Sequence, residues 1–154
     1  MNLAPKRILV ATDFSTFSLA AAEAAVDLAV RYRARLTLVH VVPLSTYVEY
    51  TSGHEGLRMT SAELEAAVQA SARKLIAAEV ERLQKVAAVE ISSEPLRGPP
   101  AVEICRFAAE NQFDLIVVGS HGRSGAARFL MGSVAEGVVR HATSSVLVIR
   151  TAAR

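Results

Sequence analysis

The chain has 154 residues, 51% of them hydrophobic and 21% charged, which suits one domain with a sizeable core. A formal net charge of +2, an aromatic content of 5% and basic residues scattered from Lys6-Arg7 to Arg140 argue against nucleic acid as a main partner. One cysteine, Cys105, excludes an internal disulfide and a cysteine-built metal cluster, and the apolar stretches are too short to span a bilayer.

Met1 to Arg7 leads directly into a strand rather than a secretory leader, so a cytoplasmic protein is expected. Arg7 to Thr12 is a short apolar run without alternation, the pattern of a strand buried on both faces. Asp13 to Ser18 is the following loop, and a helix is predicted from about Ser18 to Arg33 with Leu19, Ala22, Val26, Ala29 and Val30 inward. Arg35 to Val42 is the second strand, stopped by Pro43. Leu44 to Met59 has no clear period and is expected to be a mobile loop (about 44–60). Thr60 with Glu63 forms a capping-box start for a helix from Ser61 to Val86, with Leu64, Val68, Leu75, Ala78 and Leu83 inward. Val86 to Ser93 is read as the third strand and Glu94 to Pro100 as a rigid connector. A helix from Pro100 to Asn111 should bury Val102, Cys105, Ala108 and Ala109, which makes Cys105 a structural thiol. Leu115 to Val118 is the fourth strand. After the glycine-rich loop Gly119 to Gly125, a helix starts at Gly132-Ser133 (Val134, Val138, Val139), and Val146 to Ile149 is the fifth strand.

Five strands alternating with four helices imply a single α/β domain, a doubly wound five-stranded parallel sheet with helices on both faces. Ligands in such sheets bind beyond the carboxyl ends of the strands, where strand order reverses. Unusual chemistry follows two strands: Thr12-Asp13 after the first, and Gly119 to Gly125 after the fourth. Neighbouring placement of these two, in the order 3-2-1-4-5, brings them to one crevice.

The chemistry at that crevice suits a nucleotide. Glycines 119, 122 and 132 would let backbone N–H groups approach phosphate, where a side chain would block the approach and forbid positive φ. Ser133 would add a helix N-terminus and a hydroxyl, with Val118 and Val134 flanking. Turn glycines and a helix cap are the competing reading. Asp13 would accept hydrogen bonds from ribose hydroxyls, with Ala11 and Thr12 beside it, although a cap of the first helix explains it equally well by position. His121 lies in the loop and would line the site; a role as catalytic base is not expected, because sequence alone assigns it no partner. Arg123 and Arg128 would steer or clamp phosphate, or are plain surface. His40, His54 and His141 are too widely spaced for a metal site.

The spacing Gly119, two residues, Gly122, nine residues, Gly132-Ser133 resembles the ATP-binding signature of the universal stress protein family. Ile8 to Asp13 is similar to that family's first strand and its acidic residue, and Ser145 to Arg150 to its last strand, so the resemblance runs from about Lys6 to Arg150. It implies the adenine nucleotide alpha hydrolase-like fold, ATP as ligand and an adenine contact at the backbone of Val41. Magnesium would be held through the phosphates. It also implies a homodimer paired through Ser145 to Arg150. The chain has no Gly-Lys-Ser/Thr phosphate loop, no Gly-x-Gly-x-x-Gly and no nucleophile elbow. Any ATP hydrolysis is therefore expected to be slow. AMP or cyclic AMP as ligand, a nucleotide-independent interaction protein, and a slow ATPase or phosphotransferase stay open as alternatives.

Overall fold

The computed structural model of the chain describes residues 4–46, 60–122 and 131–151. In chain order the elements are β1 (Arg7–Ala11), α1 (Thr16–Tyr32), β2 (Arg35–Val42), α2 (Ser61–Val86), β3 (Ile91–Arg97), α3 (Pro100–Glu110), β4 (Leu115–Gly119), α4 (Ser133–His141) and β5 (Ser145–Ile149). The strands form one parallel sheet in the order β3-β2-β1-β4-β5, as expected. Parallel neighbours need crossovers, and each helix supplies one.

The central strands alternate sides. Ile8, Val10, Leu36, Leu38 and Val117 face α1 and α2, where small residues of α1 (Ala21, Ala22, Ala25, Ala29) let the helix lie close. Leu9, Val39, Val41, Ile116 and Val118 face α3 and α4 through Ile104, Ala108, Ala135 and Val138. Both faces of β1 and β4 are therefore in the dry interior, which is why these strands carry no polar alternation.

Several local readings need correction. The helix α1 begins at Thr16, before Ser18, because Ser15 is its N-cap and accepts the Ser18 N–H. The third strand starts later than Val86 and includes Pro95. Gly98 N–H donates to the Val42 carbonyl (3.1 Å), so the backbone N–H and C=O groups of even-numbered β3 residues face β2, and Pro95, which has no N–H, turns its vacant position to the outer edge. The buried stripe of α2 is Val68, Ala72, Ile76, Glu79 and Leu83; Leu75 and Ala78 are exposed. In α3, Ile104 and Ala108 are buried, whereas Val102 and Ala109 face solvent and Cys105 is half-buried. In α4, Ala135 joins Val138 inside, with Val134 and Val139 outside. Residues 47–59 of the expected loop lie outside the described residues. Among the described residues no helix is long and apolar enough to cross a membrane.

With 26 residues, α2 is roughly 39 Å long at 1.5 Å per residue, against some 26 Å for β2, the longest strand. Its later turns (Ile76, Leu83) pack on the sheet, while Leu64, Val68 and Ala72 pack with Val42 in a separate small cluster. The first half of α2 is a wall standing above the carboxyl end of β2.

Candidate functional site

The turn after β1 is built from its own polar side chains. Thr12 N–H donates to the Val39 carbonyl (2.9 Å), which fixes where β1 ends. Phe14 N–H donates to Thr12 Oγ1 (3.0 Å), and Thr12 Oγ1 is 3.1 Å from Ser18 Oγ. Asp13 Oδ1 accepts Ser15 N–H at 3.0 Å, which closes the turn ahead of α1, whose N-cap is Ser15 and not Asp13. The other oxygen, Oδ2, lies over Gly122: a Cβ built on Gly122 would stand 2.7 Å from it. The ends of β1 and β4 therefore meet.

The turn after β4 is held by backbone. Ser120 N–H donates to Ile149 O and Gly132 N–H to Ser120 O, both at 2.8 Å, so the chain returns at Gly132 onto its own point of departure. Ser120 is buried, with its hydroxyl 3.0 Å from His121 Nδ1, and the His121 ring lies 5.2 Å from that of Phe17. Gly132 is the N-cap of α4 and has no side chain to cap it. The N–H groups of Ser133, Val134 and Ala135 have no acceptor within the helix, and they add to its positive end.

Glycine is required here by crowding and not by φ. Among the described glycines only Gly98 has a positive φ. A Cβ on Gly119 would lie 2.8 Å from the Phe17 backbone, and one on Gly132 would lie 3.2 Å from His121 Cα.

Val41 belongs to the same place for a backbone reason. Residues two apart in a strand turn their peptide groups to the same side, and Val39 O already points at β1. The N–H and C=O of Val41 thus face β1's side one step past its end, over the opening.

One cleft of about 1100 Å³ joins these groups. It is lined by Ala11, Thr12, Asp13, Val41, Val118, Gly119, His121, Gly122, Gly132, Ser133 and Val134; Arg123 lies outside the described residues. Position at the carboxyl edge, where strand order reverses at β1 and β4, matches the rule for doubly wound sheets. Sequence reasoning missed other lining residues: Ser18, His40 and the α2 wall through Leu64, Ala67, Val68 and Leu75. His40 had a signal, a polar ring within the apolar run Leu38 to Val42. The wall had one too, in a predicted helix far longer than its strands.

Cys105 sits outside this cleft, its Sγ 4.0 Å from the Val138 carbonyl, and burial pushes its pKa up. It is a packed thiol. Among the described residues no group of three His, Cys, Asp or Glu side chains could hold a metal ion.

Residues 5–150 match the sequence profile of the universal stress protein family. The chain belongs to the universal stress protein family. A universal stress protein of Methanocaldococcus jannaschii is 37% identical over 146 residues, covering 94% of this chain and 82% of the relative. Among solved structures, the universal stress protein UspA of Lactobacillus plantarum superposes with a TM-score of 0.73 at 32% identity, covering 94% of this chain and 97% of that one. A universal stress protein solved in complex with cAMP has a TM-score of 0.63 at 25% identity, covering 94% and 96%. The fold shared with these universal stress proteins is the adenine nucleotide alpha hydrolase-like one.

Proposed function

We propose that this universal stress protein binds an adenine nucleotide, ATP in the first instance, in the cleft above β1 and β4 and acts as a nucleotide-responsive regulatory module. The observation that carries the reading is the convergence of an acid and a bare backbone turn at one point, Asp13 Oδ2 over Gly122. A carboxylate repels phosphate and accepts hydrogen bonds from hydroxyls. The sugar therefore belongs beside Asp13, and the phosphates beside Gly132, Ser133 and Val134, where N–H groups of α4 without an acceptor inside the helix lie. The base then reaches the backbone of Val41. The glycines support such a ligand because a Cβ at 119 or 132 would strike backbone and one at 122 would strike Asp13 Oδ2, so side chains there would disturb the two turns that frame the cleft. The relative complexed with cAMP supports adenine nucleotides as the class, with AMP and cyclic AMP as competing ligands.

At most slow hydrolysis is proposed. His121 Nδ1 is engaged with Ser120, and no lysine is among the described residues that line the cleft. Magnesium would enter with the phosphates. The location is taken to be cytoplasmic.

Isothermal titration of the folded protein with ATP and magnesium tests the reading. Saturable heat is expected, competed by AMP or cyclic AMP to the extent that those are ligands; no heat at tens of micromolar protein overturns it. We also propose a homodimer through β5, whose residues 146–149 stay half-buried beside β4 alone. A monomer in sedimentation at tens of micromolar would contradict this.

A further inference from the structure

Phe14 stands at φ +63, in the left-handed region that a bulky side chain normally avoids. Such a conformation persists only where its surroundings impose it, and it tends to mark positions with a function. Here the imposition comes from two sides. Within the turn, Phe14 N–H is tied to Thr12 Oγ1 (3.0 Å) and Ser15 N–H to Asp13 Oδ1 (3.0 Å). From β2, His40 Nδ1–H donates to the Thr12 carbonyl at 2.8 Å, and its ring lies 4.7 Å from that of Phe14. The Thr12 carbonyl belongs to the peptide that carries Asp13. With its carbonyl held by His40 and its N–H, that of Asp13, donating to Ser18 Oγ at 3.3 Å, that peptide is tied on both sides, while Thr12 N–H on Val39 anchors the peptide before it. Space-filling alone would be served by leucine; the ring nitrogen is needed for the carbonyl.

We propose that Phe14 and His40 are positioning residues that brace the Thr12–Asp13 peptide, so that the Asp13 carboxylate is presented over Gly122 ready for the ribose hydroxyls. The brace rests on the nucleotide reading given above. It acts on the sugar contact and leaves the phosphate contacts at Gly132 and Ser133 untouched, which gives it a signature of its own.

The test compares ATP with 2′,3′-dideoxy-ATP, which keeps the base and triphosphate and lacks both hydroxyls. The wild-type protein should bind ATP about tenfold more tightly, the scale of a charge-assisted hydrogen bond. His40→Leu should bring the two affinities within about twofold of each other by weakening ATP alone, since the hold on the Thr12 carbonyl is lost. His40→Asn, whose amide N–H can reach the same carbonyl, should restore most of the preference. Phe14→Gly accepts the positive φ but lacks the ring, and should also lose the preference. Dideoxy-ATP binding serves as the check that each variant is folded; if His40→Leu fails it, Phe14→Gly and His40→Asn decide between them. Equal weakening of both nucleotides, or an unchanged preference, overturns the brace. A wild-type protein that binds both nucleotides alike overturns it too, while phosphate recognition stands. A wild-type protein that binds neither removes the nucleotide reading and the brace with it.

Discussion

Asp13 Oδ2 occupies the place where a side chain on Gly122 would have to go, 2.7 Å from the position of its Cβ. Two segments more than a hundred residues apart in the chain thus share one small space. Gly122→Ala forces the carboxylate aside. We expect ATP affinity to fall tenfold or more, about 1.4 kcal/mol, with little change in unfolding free energy. Calorimetry with ATP and a urea melt check this. A variant that loses stability and keeps its affinity would reduce Gly122 to a packing glycine.

Gly137 tests the helix packing that places Ser133. Glycine inside a helix costs about 1 kcal/mol relative to alanine, so Gly137→Ala should stabilise an isolated helix. Here the new methyl would meet Ala101 Cβ at 2.7 Å, and overpacking of that kind costs about 1–3 kcal/mol. A net loss of about 1 kcal/mol is expected, recovered when Ala101→Gly is added. Urea unfolding of the single and double variants decides the matter.

The ion pairs should behave very unequally. Glu79 is 7% exposed and is held by both Nε (3.0 Å) and an Nη (2.9 Å) of Arg82, whose other Nη reaches the open Glu23 at 2.7 Å. Arg82→Met strands a buried carboxylate. It should cost about 2–3 kcal/mol, less than a fully buried pair because Arg82 is itself part exposed. Glu23→Gln should cost under about 1 kcal/mol. Equal losses in thermal melts would contradict this.

The start of α2 should respond to acid. Thr60 N–H (2.7 Å) and its hydroxyl (2.9 Å) both donate to Glu63 Oε2, and chiefly the backbone donor holds the carboxyl below its usual value of 4.5. A carboxyl depressed on folding contributes stability that is complete above 4.5 and is lost as pH falls through its lower folded value. Protection of the first-turn amides of α2, followed by hydrogen exchange, should therefore drop in that window. Glu63→Gln should show a flat profile; a wild-type profile just as flat would count against the cap.

Strand order and crevice were legible because they follow from categorical signals: unalternating apolar runs, glycine spacing, an acid after a strand. What escaped depended on partners that a linear reading does not contain. Pro95 was placed in a connector because its position on the outer edge of the sheet was not visible. Glu79 was left off the buried face of α2 because only Arg82, three residues on, makes its burial tolerable. Leu75 and Val102 were assigned inward for being apolar, yet they lie outside, Leu75 as part of the cleft wall. The glycines were identified for the right place and partly the wrong reason, since crowding by Asp13, Phe17 and His121 is a property of the folded chain.

The two margins of the sheet are not equivalent. On the β3 side, Pro95 withholds a donor where another strand would need one, and Glu94 stands exposed beside it. On the β5 side nothing comparable interrupts Val146 to Ile149. Among the described residues, strand addition is thus blocked on the β3 side alone. Two copies joined as proposed through β5 would turn the blocked margins outward, so that pairing would end at two and would not propagate into a fibre.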